Sequence, residues 1–141
     1  MAYIDNSFKL VTVLNRRVDL GAVTNALGHV VAGLVAADRS AQQIEFLDYP
    51  TQSGWQSLIA RHPIIVLRSE NSNQLRRLHA EALELDMMAN AFVQTMLGES
   101  AIQQQAATRN AAPDELEYWA VAVFGEAERL KSLTKRFSLY A

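Results

Sequence analysis

Residues 8–34, FKLVTVLNRRVDLGAVTNALGHVVAGL, decide how the chain folds. The run from Phe8 to Leu14 is rich in β-branched and aliphatic side chains and ends at Asn15-Arg16-Arg17, which predicts a largely buried strand. Asp19 then stands where a helix N-cap is expected. Leu20, Val23, Leu27, Val30, Val31 and Leu34 follow at helical spacing and make one apolar stripe. Ala22, Ala26, Ala32, Gly33 and Ala36 make a second stripe, of small residues that let another backbone come close. The helix is therefore expected to be covered on two sides, by a sheet and by another helix or a second subunit.

Outward from this unit the same grammar repeats. Pro63 to Arg68 predicts a second strand, and Asn71 an N-cap for a helix whose core face is Leu75, Leu78, Ala82 and Leu85. Ala91 to Leu97 predicts a third strand and Tyr118 to Phe124 a fourth, after which Gly125 turns the chain into a last helix over Glu126 to Phe137. Ile44 to Tyr49 reads as a short edge strand stopped by Pro50, with a turn at Gly54. Residues 99–112 are polar and Gln/Ala-rich, a surface helix or a loop. Strands alternating with helices give an α/β fold: a three-layer α/β/α sandwich around a mixed, mostly parallel four-stranded sheet. No firm helix joins the third and fourth strands, which leaves room for one antiparallel strand. No linker or repeat divides the chain, so residues 1–141 are expected to form one domain.

Composition narrows the function. There is no Cys, which excludes disulfides, thiol catalysis and Cys-ligated zinc. Residues 1–6 lack a basic segment leading into an apolar one, and the uncharged stretch Leu20–Ala37 carries Thr24, Asn25, His29 and three glycines, so a buried helix is expected rather than a membrane span. The expectation is a cytoplasmic protein without a membrane partner. The formal net charge is −2, without the basic excess of a nucleic-acid binder. A basic cluster, Arg129, Lys131, Lys135 and Arg136, sits beside Glu126 and Glu128 and reads as a solvated helix face. His62 and His79 have no metal-ligand spacing, and no phosphate loop or nucleophile elbow occurs, so no metal or cofactor is expected.

Several motifs carry a resemblance when taken in order: Lys9 to Leu14, Asp19-Leu20, Asn25-Ala26-Leu27-Gly28-His29, Pro63 to Leu67, and Leu133 to Tyr140. In this order the chain resembles the type II peptidyl-tRNA hydrolases, most nearly their uncharacterised bacterial relatives, over almost its whole length. The resemblance implies a four-stranded mixed sheet between helical layers, often a homodimer, and cleavage of the ester that joins a peptide to tRNA. The chain departs from the family's pattern where the chemistry would lie. The family's lysine in the loop before the first helix has no counterpart, because no lysine occurs between Lys9 and Lys131. Its aspartate at the end of the third strand is replaced by Thr95, while His29 of the helical motif is kept. Ester hydrolysis needs a group that orients or deprotonates water and a positive group for the oxyanion, and these replacements remove both.

Two sets of candidate residues follow. Asn25 and His29 are four apart and share a helix face, as catalytic residues beside a cleft or as a partly buried pair satisfied by each other or by a backbone carbonyl. Arg16, Arg17, Asp19, Arg68 and Thr95 fall at strand ends, where open α/β sheets bind ligands and helix N-termini favour anions. There they would hold a small anionic ligand, or the arginines would pair with Asp19 or Glu70. Three functions are carried forward: a binding protein for a small anion or a partner chain, a divergent hydrolase of an aminoacyl or peptidyl ester that would take tRNA as substrate, and a non-catalytic homodimer.

Overall fold

β1 (Phe8–Asn15) sits at the centre of the molecule because both of its faces are apolar. The computed structural model describes residues 7–140, and residues 1–6, on which the reading of a leader falls, lie outside them. After β1 come α1 (Leu20–Ala37), β2 (Phe46–Pro50), β3 (Gln56–Ala60), β4 (Ile64–Ser69), α2 (Ser72–Glu84), β5 (Met88–Val93), α3 (Ala101–Asn110), β6 (Tyr118–Glu126), α4 (Ala127–Thr134) and β7 (Ser138–Leu139). Five strands form one sheet in the order β5-β6-β1-β4-β7, and β2 and β3 form a separate hairpin.

Strand alternation divides the core into two halves. Leu10 and Leu14 face α1, where they meet Val23, Ala26, Val30 and Leu34 together with Phe92, Ala120, Ala122 and Phe124. Val11 and Val13 face the other way, onto Leu75, Leu78 and Ala82 of α2 and Leu130 and Leu133 of α4. Burying a Leu or Val side chain fully contributes roughly 1.5–3 kcal/mol, so these two clusters dominate the fold's stability.

The sheet differs from the expected one. It has five strands rather than four, and β1–β4 is its one parallel pairing; β1–β6, β5–β6 and β4–β7 are antiparallel. The reason lies between β5 and β6. α3 buries none of its residues, so it is no crossover layer, and the chain returns alongside β5 in the opposite direction. β7 was not expected at all; Tyr140 N–H donates to Val66 O at 3.0 Å and seats this short segment against β4. The third strand lies earlier than expected, at residues 88–93, and Gln94–Met96 coil into a 3-10 turn instead of continuing it. The fourth runs on through Glu126, and the last helix ends at Thr134 rather than Phe137.

Two further local readings are corrected: Leu85, expected on the core face of α2, is 48% exposed beyond the helix end, and the expected edge strand Ile44–Tyr49 is β2, which runs through Pro50 in a separate hairpin rather than at the sheet's edge. Asn71 caps α2, its side chain accepting from Gln74 N–H at 3.0 Å. Gly54 takes a positive φ of 97°, as a hairpin turn requires. Asp19 occupies the N-cap of α1 without a side-chain capping bond.

α1 is covered on one side rather than two. Val23, Ala26, Val30 and Leu34 are buried on the sheet, while Gly21, Asn25, Gly28, His29, Ala32 and Ala36 are exposed. The small-residue stripe is therefore split: Ala26 faces the sheet, and Ala32 and Ala36 face outward. By length and mean hydropathy, 1.6, this helix also passes the test for a membrane span.

Candidate functional site

The strand-end set and the helix-face set occupy different places. At the C-terminal ends of β1 and β4 the protein's own groups knit the edge together. Asn15, buried, donates from Nδ2 to Tyr118 O at 3.0 Å and accepts from Arg17 N–H at 2.9 Å. Ser72 Oγ accepts from Tyr118 N–H at 2.7 Å, and Arg76 Nη2 donates to Leu116 O at 2.9 Å. Arg16 pairs with Glu70 at 2.8 Å, both half exposed. Arg17 and Asp19 are exposed, and Arg68 is partly buried with its Nε unpartnered among the described residues. Thr95 lies in the 3-10 turn after β5, where its hydroxyl meets that of Thr108 on α3 at 2.8 Å. β5 and β4 are separated by β6 and β1, so Thr95 stands about 14 Å from Arg68 at ordinary strand spacing.

His29 and Asn25 lie elsewhere, on the outer face of α1, and both are exposed. A buried pair is thus not what forms. The two border a cavity of about 430 Å³ with Thr24, Gly28 and Ala32. His29 also borders a second cavity, of about 400 Å³, whose wall is the end of β5 and the segment after it, including Asn90, Phe92, Met96 and Gln104. Met96 and Gln104 in turn border a third, of about 440 Å³, with Thr108 and Arg109. The three cavities adjoin through these shared residues, and together they are termed the groove from α1 to α3, with His29 toward one end and Arg109 at the other.

Two features shape this groove. The first is a row of rings beneath it. The His29 ring lies 6.1 Å from that of Phe92, which lies 5.9 Å from that of Trp119. The buried Trp119 indole N–H has no acceptor among the described residues. The second is Asn90, whose Nδ2 donates to Val30 O on α1 at 3.0 Å. That bond requires α1 to come close, and Gly33 permits it: a Cβ there would stand 2.6 Å from Asn90 Nδ2. With its amide nitrogen held, Asn90 presents a fixed polar group at the groove wall.

Among the described residues, no Asp or Glu lines any of the three cavities. Arg109, in the last turn of α3, has no ion pair among the described residues. Among the described residues the groove therefore carries the Arg109 guanidinium, the His29 imidazole, amides and the apolar side chains of Phe92 and Met96. Such a surface can hold an anion carrying a ring or short apolar body. No cluster of three His, Asp or Glu groups that could bind a metal occurs among the described residues.

Asn25 and His29, candidates from the sequence, border these cavities, and so do Asn90, Gln104 and Arg109, which the sequence did not single out. Gly33 was visible as a helix-interior glycine, the signal of a close approach. Nothing local pointed to Arg109, because α3 has no apolar stripe to orient it.

Comparison with known proteins agrees with the fold and leaves the function open. Residues 8–141 match the model of a family described as protein of unknown function, DUF2000. A solved structure of Atu0240, a protein of unknown function from Agrobacterium tumefaciens str. C58, is similar at a TM-score of 0.78 and 21% identity, over 96% of this chain and 98% of that one. No curated protein matches.

Proposed function

We propose that this chain, which belongs to the DUF2000 family of proteins of unknown function, binds a small anionic molecule in the groove between α1 and α3. The observation that carries this reading is a lining with no acid among the described residues, with Arg109 that has no ion pair among them and with His29 beside the Phe92 ring. The ligand has a ring or compact apolar body against Phe92 and Met96 and a carboxylate or phosphate toward Arg109. A fixed guanidinium suits either group, because its donors form a planar fork.

Calorimetric titration with benzoate and benzyl phosphate, against benzyl alcohol as neutral control, tests it. The anions are expected to bind at least about tenfold more tightly than the alcohol, and R109Q and H29Q each to weaken them. Equal affinity for the alcohol rejects an anion site. Unchanged affinity in R109Q places the site elsewhere.

A second reading rests on the sequence resemblance to type II peptidyl-tRNA hydrolases, and the residues that carry that resemblance lie on β1, α1, β4 and the C-terminal segment. In it, Asn25 and His29, which border the same open cavity, position a water for attack on an aminoacyl or peptidyl ester. It predicts release of the acyl group from N-acetyl-aminoacyl-tRNA by the wild type and not by H29A; equal rates end it.

Homodimerisation belongs to the proposal as well. It is supported by the exposed face of α1 and by the β2–β3 hairpin, on which Trp55, Leu58 and Ile59 are 62%, 64% and 51% exposed. The cytoplasm is the proposed location, on the absence of cysteine.

A further inference from the structure

The chain has three lysines, and all three line one cavity on the opposite face of the sheet from α1. Lys9 shares the face of β1 that carries Val11, and Lys131 and Lys135 lie one helical turn apart on and just after α4. The cavity, of about 400 Å³, lies between α4 and strands β1 and β4. Its floor is apolar, made of Val11, Ile65, Leu67, Leu130 and Phe137. Among the described residues Glu128 is the one acid on its lining. None of the three lysines has an ion pair among the described residues.

This arrangement needs an explanation. Like charges one turn apart destabilise a helix by a few tenths of a kcal/mol, and a chain of net charge −2 has acids available to offset them. The basic residues that looked like one solvated face in fact divide. Arg129 donates to Leu85 O, and Arg136 approaches Glu81 and covers the Phe137 ring at 4.9 Å. Lys131 and Lys135 instead turn to the cavity.

We propose that this cavity binds an amphipathic anion: an aliphatic chain lying on the floor, with a single carboxylate among Lys9, Lys131 and Lys135. Three lysines against Glu128 leave two uncompensated positive charges, of which the carboxylate offsets one. The Lys stems extend the apolar surface while their ammonium groups stay wet at the mouth. A stacked base is disfavoured, because Arg136 already covers the Phe137 ring. Ammonium groups act as point charges rather than forks, which fits a carboxylate without demanding bidentate geometry.

Titration of the full chain with dodecanoate, dodecanol and acetate tests this. Dodecanoate is expected to bind, dodecanol at least about tenfold more weakly, and acetate without detectable heat. K131Q and K135Q should each weaken dodecanoate roughly threefold or more, as a partly exposed charge pair does, and E128Q should strengthen it. R109Q should leave it unchanged, which separates this site from the groove on the α1 side. These lysines are exposed or partly buried, so melting curves should show the variants folded. Equal affinity for dodecanol overturns the charge component, equal affinity for acetate overturns the floor, and indifference to the K131Q/K135Q double variant overturns the location. Absence of dodecanoate binding overturns the proposal as a whole.

Discussion

Gly28 and Gly33 sit five residues apart on α1 and have opposite meanings. A Cβ at Gly28 would meet nothing within 4 Å, so G28A gains helix propensity at no steric cost. We expect it to stabilise the protein by roughly 0.5–1 kcal/mol in urea unfolding. A Cβ at Gly33 would strike Asn90 Nδ2, so G33A trades the same gain against the Asn90–Val30 bond, worth about 1 kcal/mol, and a partly buried amide left unpaired. G33A should therefore be neutral or destabilising; a stability equal to that of G28A would show that Asn90 moves freely. His79 is the second informative residue. Burial holds its imidazole below the usual histidine value of 6.5, beside the Tyr118 ring at 6.2 Å. The unfolded chain then binds the proton more readily, so stability is complete above pH ~6.5 and falls as the pH drops below it. Comparing urea midpoints at pH 7.5 and 5.5, we expect H79Q to lose part of this dependence; an identical pH dependence would exclude His79 as a contributor.

At the scale of elements, the ends of helices and strands show where local chemistry is strained or spare. α2 ends at Glu84 with Leu85 as its C-cap, followed by Asp86 with a φ of 55°, a left-handed conformation that costs a non-glycine residue about 1 kcal/mol. Met87 N–H reaches back to Ala82 O at 2.9 Å across this turn. D86G should raise the unfolding free energy by roughly 0.5–1 kcal/mol; a decrease would mean that the Asp86 side chain holds the turn. The hairpin of β2 and β3 is the opposite case. Two strands alone are marginal in water, and this pair buries no residue of either strand. Its amides should exchange with solvent well before those of β1 and β6, the strands inside the core.

Across the whole molecule, apolar surface is unevenly distributed. Both sheet faces are filled, yet Phe46, Leu47, Tyr49, Trp55, Leu58 and Ile59 of the hairpin segment are all at least 38% exposed. The register pairs Leu47 with Ile59 and Asp48 with Leu58, so the hairpin carries exposed apolar side chains on both faces, Leu47, Tyr49 and Ile59 on one and Phe46 and Leu58 on the other, and exposed apolar surface is what association buries. If the protein is a homodimer through this arm, sedimentation should show a concentration-dependent dimer that L58K abolishes. A wild-type monomer, or a dimer indifferent to L58K, removes the hairpin from the interface. Because Leu58 is exposed, L58K should change monomer stability by less than about 0.5 kcal/mol, so loss of assembly and loss of fold are separable.

Periodicity alone determined much of this protein. The β-rich run Phe8–Leu14, the stripe Val23–Leu34, the cap at Asn71 and the turn at Gly54 are set by neighbours within a few residues, where backbone sterics and side-chain burial act. His29 and Asn25 were legible for the same reason, since four residues along a helix fix a shared face. Tertiary structure decided the rest. The direction of β6, the seating of Tyr140 on β4, the meeting of Gly33 with Asn90, and the gathering of Lys9 with Lys131 and Lys135 all join residues more than fifty positions apart. Such contacts depend on which buried faces find each other when the chain collapses, and no local spacing encodes that choice.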